Sequence, residues 1–129
     1  MLKKKNLLEV SEGANVVNIG DDIVPALIQK SDGTSIYITR DLAAYIDRLE
    51  KYKFDEILYV VGNEQTLHFE QLKRVLSKMG YDSNKLKHIS FGLMLQNGKK
   101  MSTRGGTGLN LQDLLDSSIS LANKYIEEK

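Results

Sequence analysis

The sequence predicts an α/β domain with a parallel core, and three observations carry that prediction. The run Glu56-Ile57-Leu58-Tyr59-Val60-Val61 is almost continuously apolar, as in a parallel strand buried on both faces. Gly62-Asn63 closes it, and a helical pattern runs from about Gln65 to Met79, with Leu72, Val75, Leu76 and Met79 inward and Gly80 suited to a left-handed helix end. Residues 87–95 then alternate Ile89, Phe91, Leu93 and Leu95 on one face, so strand, helix and strand make a crossover unit. A chain of 129 residues can bury a core of its own, and one domain, residues 1–129, is expected.

The elements before this unit follow from turn chemistry and periodicity. Residues 1–9 read as the tail of a helix or an arm, since Lys3 to Lys5 followed by Leu7-Leu8 complete no amphipathic period. Residues 14–19 and 25–30, separated by the turn Gly20-Asp21-Asp22, read as a short antiparallel hairpin. Pro25 lacks an amide proton, which places it at a strand start or edge. After the turn Ser31-Asp32-Gly33-Thr34, residues 35–38 read as a short strand. A helix follows, with Thr39 as N-cap, Asp41 in the first turn, an apolar stripe of Leu42, Tyr45, Ile46, Leu49 and Tyr52, and an end near Lys53.

Beyond the second strand, Asn97-Gly98 supplies hairpin-turn chemistry. The segment from Lys99 to Gly108 packs three cations, three hydroxyls and three glycines into ten residues, enough charge, donors and backbone freedom to cradle an anion. Composition alone leaves it equally readable as an exposed basic hairpin tip. Leu111, Leu114, Leu115, Ile119, Ala122 and Ile126 then define a long amphipathic helix, with Asn110 as its cap and Asp113 near the positive end of its dipole.

Composition excludes several classes. Zero cysteines remove disulfides and thiolate metal sites, and His68 and His88 lack ligand-like spacing, so no tightly bound metal or organic cofactor is expected. A net charge of +1 gives no general field for wrapping nucleic acid. The start of the chain lacks the apolar stretch of a secretory signal and no run reaches membrane-spanning length, so a cytoplasmic protein without a membrane partner is expected. The spacing of a GxxxxGK phosphate loop does not occur.

Ligands of open α/β sheets bind at the carboxyl ends of strands, where residues 37–41, residues 62–68 and the basic loop all arrive. Tyr37 and Asp41, a phenol and a carboxylate four residues apart, suit a planar cation such as a guanidinium, with Gln65 as a further acceptor. Each also has a plain structural reading: packing for Tyr37, a dipole complement for Asp41, a polar cap for Gln65, a half-exposed helix position for His68.

Taken together, Ser31-Asp32-Gly33-Thr34-Ser35-Ile36-Tyr37-Ile38-Thr39-Arg40-Asp41-Leu42-Ala43 closely resembles a motif of arginyl-tRNA synthetases. Lys100-Met101-Ser102-Thr103-Arg104 resembles that family's form of the class I KMSKS loop, and Gln65-Thr66-Leu67-His68 its Gln-x-Leu-His stretch. The resemblance runs from about residue 7 to 120. It implies a Rossmann-like parallel-sheet half-domain with a small N-terminal β-hairpin: residues 1–36 as a hairpin insertion, 37–108 as sheet and active-site loops, 109–129 as a helix. It also implies activation of arginine by ATP, accompanied by Mg2+, to arginyl-adenylate, and transfer to tRNA(Arg).

Tyr37, Asp41 and Gln65 would then hold the arginine side chain. Lys100, Ser102, Thr103 and Arg104 would act on the ATP phosphates, and His68, Leu93, Met94 and Met101 would border ATP. Two departures stand out. Gly105 follows Arg104 where many relatives carry lysine, and nothing here resembles the His-x-Gly-His motif of the first half of the nucleotide fold. The chain is therefore expected to be the second half of a catalytic domain, inactive alone; the alternative is a stand-alone arginine- or nucleotide-binding module.

Overall fold

A computed structural model describes residues 1–93, 95–96, 99–100 and 110–128. They fall into two compact units, Met1–Gly92 and Leu93–Lys129.

The first unit opens with an antiparallel sheet of β1 (Glu9–Ser11), β2 (Ala14–Val17) and β3 (Ala26–Gln29) in that order. The expected hairpin is thus three strands, and the segment from Glu9, expected to be the end of an arm, pairs with β2. The cause is the two-residue turn Glu12-Gly13, at φ +50° and +77°, the left-handed geometry that short hairpins use. Pro25 immediately precedes β3, which among the described residues is an edge strand paired with β2. Val17, Ala26 and Ile28 face the core.

Helix α1 spans Tyr37–Tyr52 and corrects three expectations. Residues 35–38 form no strand: Ser35 makes an isolated bridge to Gln29, and the helix has begun by Tyr37. The N-cap is Ile36, so Thr39 lies inside the helix, where its hydroxyl donates to the carbonyl of Ile28, and Asp41 falls beyond the first turn. Isoleucine and threonine favour strands, but burying Ile38 and Leu42 in the core and tying Thr39 to β3 outweigh that preference. The stripe holds through Leu42 and Tyr45, with Ile46 and Leu49 packed at the core margin, and stops before Tyr52, which is 74% exposed. Tyr45 is fully buried, with Phe54 and Tyr81 edge-on to its ring and its hydroxyl donating to the Asp82 carbonyl at 2.9 Å. Lys53 ends the helix in a left-handed conformation.

Strand β4 (Ile57–Gly62), helix α2 (Thr66–Lys78) and strand β5 (Leu86–Phe91) form the crossover unit, β4 and β5 pairing in parallel from Ile57↔Leu86 to Gly62↔Phe91. Phe69, Leu72, Val75 and Leu76 of α2 are buried. Gly80, at φ +86°, completes a Schellman ending, with Tyr81 N–H donating to Leu76 and Gly80 N–H to Ser77. β5 stops at Phe91, short of the expected Leu95. Among the described residues β4 is covered on one face: Ile57, Tyr59 and Val61 pack against the core, whereas Leu58 and Val60 are 58% and 66% exposed. An apolar run is compatible with burial on both faces but does not itself supply the second cover.

The hairpin between β2 and β3 is pinned to α2 from outside the core. Arg74 donates to both carboxylate oxygens of Asp22 at 2.6 and 2.8 Å, to Glu70 at 2.9 Å and to the Ile19 carbonyl at 3.3 Å. Arg74 holds the Asp22 carboxyl below its ordinary range, and Asp22 and Glu70 in turn raise the guanidinium.

In the second unit, β6 (Leu95–Gln96) pairs antiparallel with β7 (Lys99–Lys100), and α3 spans Leu111–Glu127. Lys99 and Lys100 thus belong to a strand rather than to the loop expected from Lys99 onward. The side chain of Asn110 caps α3, accepting from Asp113 N–H at 2.9 Å. No residue of α3 is buried.

Candidate functional site

A cleft of about 570 Å³ opens at the carboxyl end of β4, between the start of α1 and the start of α2. Three of its lining residues, Tyr37, Asp41 and Gln65, are those the sequence pointed to for a planar cation. Tyr37 is the first residue of α1 and is 79% exposed, Asp41 lies one turn further along, and Gln65 is the N-cap of α2. The local fold brings them together because β4 ends at Gly62, a single 3-10 turn (Asn63–Gln65) follows, and α2 then starts at the cleft.

His68 lines the same cleft, and its Nε2 lies 2.7 Å from Asp41 Oδ2, linking α2 to α1. The two side chains are 21% and 34% exposed, so the pair is shielded but reachable. Tyr59 and Phe69 form the floor with rings 5.1 Å apart, and His88 stacks on Phe69 at 4.4 Å while its Nε2 meets the Val61 carbonyl at 2.9 Å. Burial pushes the Tyr59 phenol above its usual range; the Arg48 guanidinium opposes this and the Asp41 charge adds to it. Tyr59 therefore stays a neutral phenol at physiological pH.

Glu64 also lines the cleft, its carboxylate folded over Gly62, where a β-carbon would collide with it. Tyr59, Val61, Glu64 and Phe69 were not singled out from the sequence. The one hint was Glu64's place beside Gln65.

Two carboxylates, two phenols and an amide make this cleft suited to a cation with several N–H donors. Across Tyr37, a second cleft of about 390 Å³ carries Lys30 and Arg40 instead, so charge changes sign along the groove. Among the described residues, no three His, Cys, Asp or Glu are grouped to hold a metal ion, and no helix is long and apolar enough to cross a membrane.

Of the residues expected at ATP, His68 lies in the cleft, whereas Leu93 is 41% exposed and belongs to the second unit. Lys100 lies in β7. Met94, Met101, Ser102, Thr103 and Arg104 lie outside the described residues, as do Asn97-Gly98 and Gly105.

A parallel strand pair joined by a helix, with a polar cleft at a strand's carboxyl end, is an α/β arrangement of the kind whose ligands characteristically bind at that end. The family model described as "tRNA synthetases class I (R), catalytic domain" matches residues 1–129, and the chain belongs to that family. It is 57% identical over 129 residues to the arginine–tRNA ligase of Lactobacillus johnsonii, a match covering 99% of this chain and 23% of that protein. With the arginine–tRNA ligase of Ligilactobacillus salivarius identity is 53% over 131 residues, again 23% of the relative's length. The chain thus spans about a quarter of the curated relatives it matches.

Among solved structures, arginyl-tRNA synthetase from Plasmodium falciparum superimposes with a TM-score of 0.66 at 26% identity, covering 98% of this chain and 21% of that one. The Thermus thermophilus arginyl-tRNA synthetase gives a TM-score of 0.66 at 17% identity, covering 98% of this chain and 28% of that one, and shows the fold alone.

Proposed function

We propose that this chain provides the arginine side-chain pocket and the phosphate loop of an arginine–tRNA ligase, the second half of its catalytic domain. The observation that supports this most is the convergence of Tyr37, Asp41 and Gln65 on one acidic cleft at the end of β4. A guanidinium would lie among the Asp41 carboxylate, the Tyr37 hydroxyl and the Gln65 carbonyl, each accepting from its N–H groups.

In the complete enzyme the arginine carboxylate would attack the α-phosphate of ATP, supplied as its magnesium complex, to give arginyl-adenylate and pyrophosphate. The arginyl group would then pass to the terminal ribose of tRNA(Arg). Lys100, Ser102, Thr103 and Arg104 would stabilise charge growing on the departing pyrophosphate, a gain larger in the transition state than in the ground state. Met94, Met101 and Leu93 would border the nucleotide.

The test is arginine binding by the 129-residue chain, followed by NMR shift titration. Asp41→Ala is expected to weaken binding by about 1.5–3 kcal/mol, the value of a hydrogen bond to a charged group. Unchanged affinity would remove Asp41 from the site. The chain alone is expected to show no arginine-dependent ATP–pyrophosphate exchange, because it contains nothing resembling the His-x-Gly-His motif; robust exchange would show that these residues suffice.

A further inference from the structure

The contact between His68 and Asp41 is a short polar link inside the cleft, and the role inferred for it rests on reading that cleft as the arginine pocket. A carboxylate that must face a guanidinium needs a fixed orientation. Asp41 sits on α1 with its side chain one-third exposed, and the side-chain partner that holds it is His68 of α2, at 2.7 Å from Oδ2. Phe69 backs the imidazole edge-on at 5.2 Å, which limits where that ring can turn.

We propose that His68 is the positioning residue for Asp41: its Nε2–H holds Oδ2 and aims Oδ1 at the guanidinium, and protonation of the imidazole weakens arginine binding. A neutral imidazole donates one hydrogen bond and adds no charge. An imidazolium at the same distance neutralises the carboxylate and puts a second cation beside the incoming guanidinium. Arginine and the proton on His68 therefore oppose each other through Asp41.

The other charged or titratable groups of the cleft are Tyr37 on α1, Tyr59 on β4 and Glu64 in the connecting turn. Arg48 of α1 reaches the Tyr59 hydroxyl at 3.4 Å, and His88 of β5 lies against Phe69. Histidine as a residue type changes charge between about pH 5 and 8, where carboxylates and phenols do not ordinarily titrate. Two histidines stand near the cleft, so the variant at His68 decides which one acts.

The experiment is NMR shift titration of the 129-residue chain with L-arginine at intervals between about pH 8 and 5.5. The arginine Kd is expected to rise as pH falls, approaching a limiting slope of about tenfold per pH unit, the signature of one linked proton. His68→Gln keeps an N–H donor but does not titrate; it is expected to recover most of the affinity at the upper end and to flatten the profile. His68→Phe, without a donor, is expected to bind about tenfold more weakly there. An affinity independent of pH in the parent chain, or an unchanged slope in His68→Gln, overturns the positioning role and leaves the arginine pocket standing. Absence of arginine binding at every pH overturns the pocket itself, and this role with it.

Discussion

Helices α2 and α3 both read as amphipathic from their leucine spacing, yet α2 buries Phe69, Leu72, Val75 and Leu76 while no residue of α3 is buried. Leu72 and Leu76 are completely covered, whereas Leu115 is 47% exposed and Ile119 and Ile126 are 60% and 73% exposed. Periodicity defines an apolar face, and it does so for both helices. What covers that face depends on other elements: α2 has β3, β5 and α1 against it.

Truncation breaks or sharpens this contrast most directly. Leu76→Ala is expected to cost about 2–5 kcal/mol, the range for emptying a filled core position. Leu115→Ala is expected to stay within about 0.5 kcal/mol, as for an exposed substitution. Urea unfolding of the two variants compares them, and a large loss at Leu115 would mean that the α3 face is covered in solution.

A smaller effect is expected at the N-terminus of α3, which has a side-chain cap where α2 has none. Asn110→Ala should cost about 1 kcal/mol of helix stability, visible as lost ellipticity, because Asp113 N–H loses its acceptor. Gln65→Ala should leave helicity unchanged, since Gln65 makes no capping bond.

The smallest effect is expected at Arg74, on the outside of α2. Its partner Asp22 is acidified in the fold, so the pair's contribution is complete above the ordinary carboxylate range and is lost as pH falls through the lowered value. The gap in urea midpoint between the parent chain and Asp22→Ala should therefore be constant near neutrality and close under acid conditions. A gap that widened in acid would show that Arg74 does not hold Asp22.

Tyr37, Asp41 and Gln65 were legible because the sequence pattern puts them where a strand gives way to a helix, and the structure places all three in one cleft, although Tyr37 opens α1 rather than ending a strand and Asp41 falls beyond the first turn. Tyr59 and Phe69 were not legible, since an aromatic residue on an inward face looks the same whether it fills a core or floors a pocket. The Asp41–His68 pair was equally hidden: the residues are 27 apart, and only the packing of α1 against α2 brings them to 2.7 Å.

Residues 35–38 have strand-forming side chains and residues 9–11 too few to show a period, so each was settled by a neighbour outside the segment: the core and Ile28 for the start of α1, and β2, reached through the Glu12-Gly13 turn, for β1.

The sequence by itself determined the parallel crossover of β4, α2 and β5, the glycine ending of α2, the Asn110 cap and the family motifs. Those features depend on the order of side chains along a few turns or one strand. Tertiary structure alone decided that β4 is covered on one face, that α1 begins at Tyr37, and that Asp41 faces an imidazole. Each depends on which distant surface removes a group from water or offers it a hydrogen bond, and spacing along the chain does not carry that information.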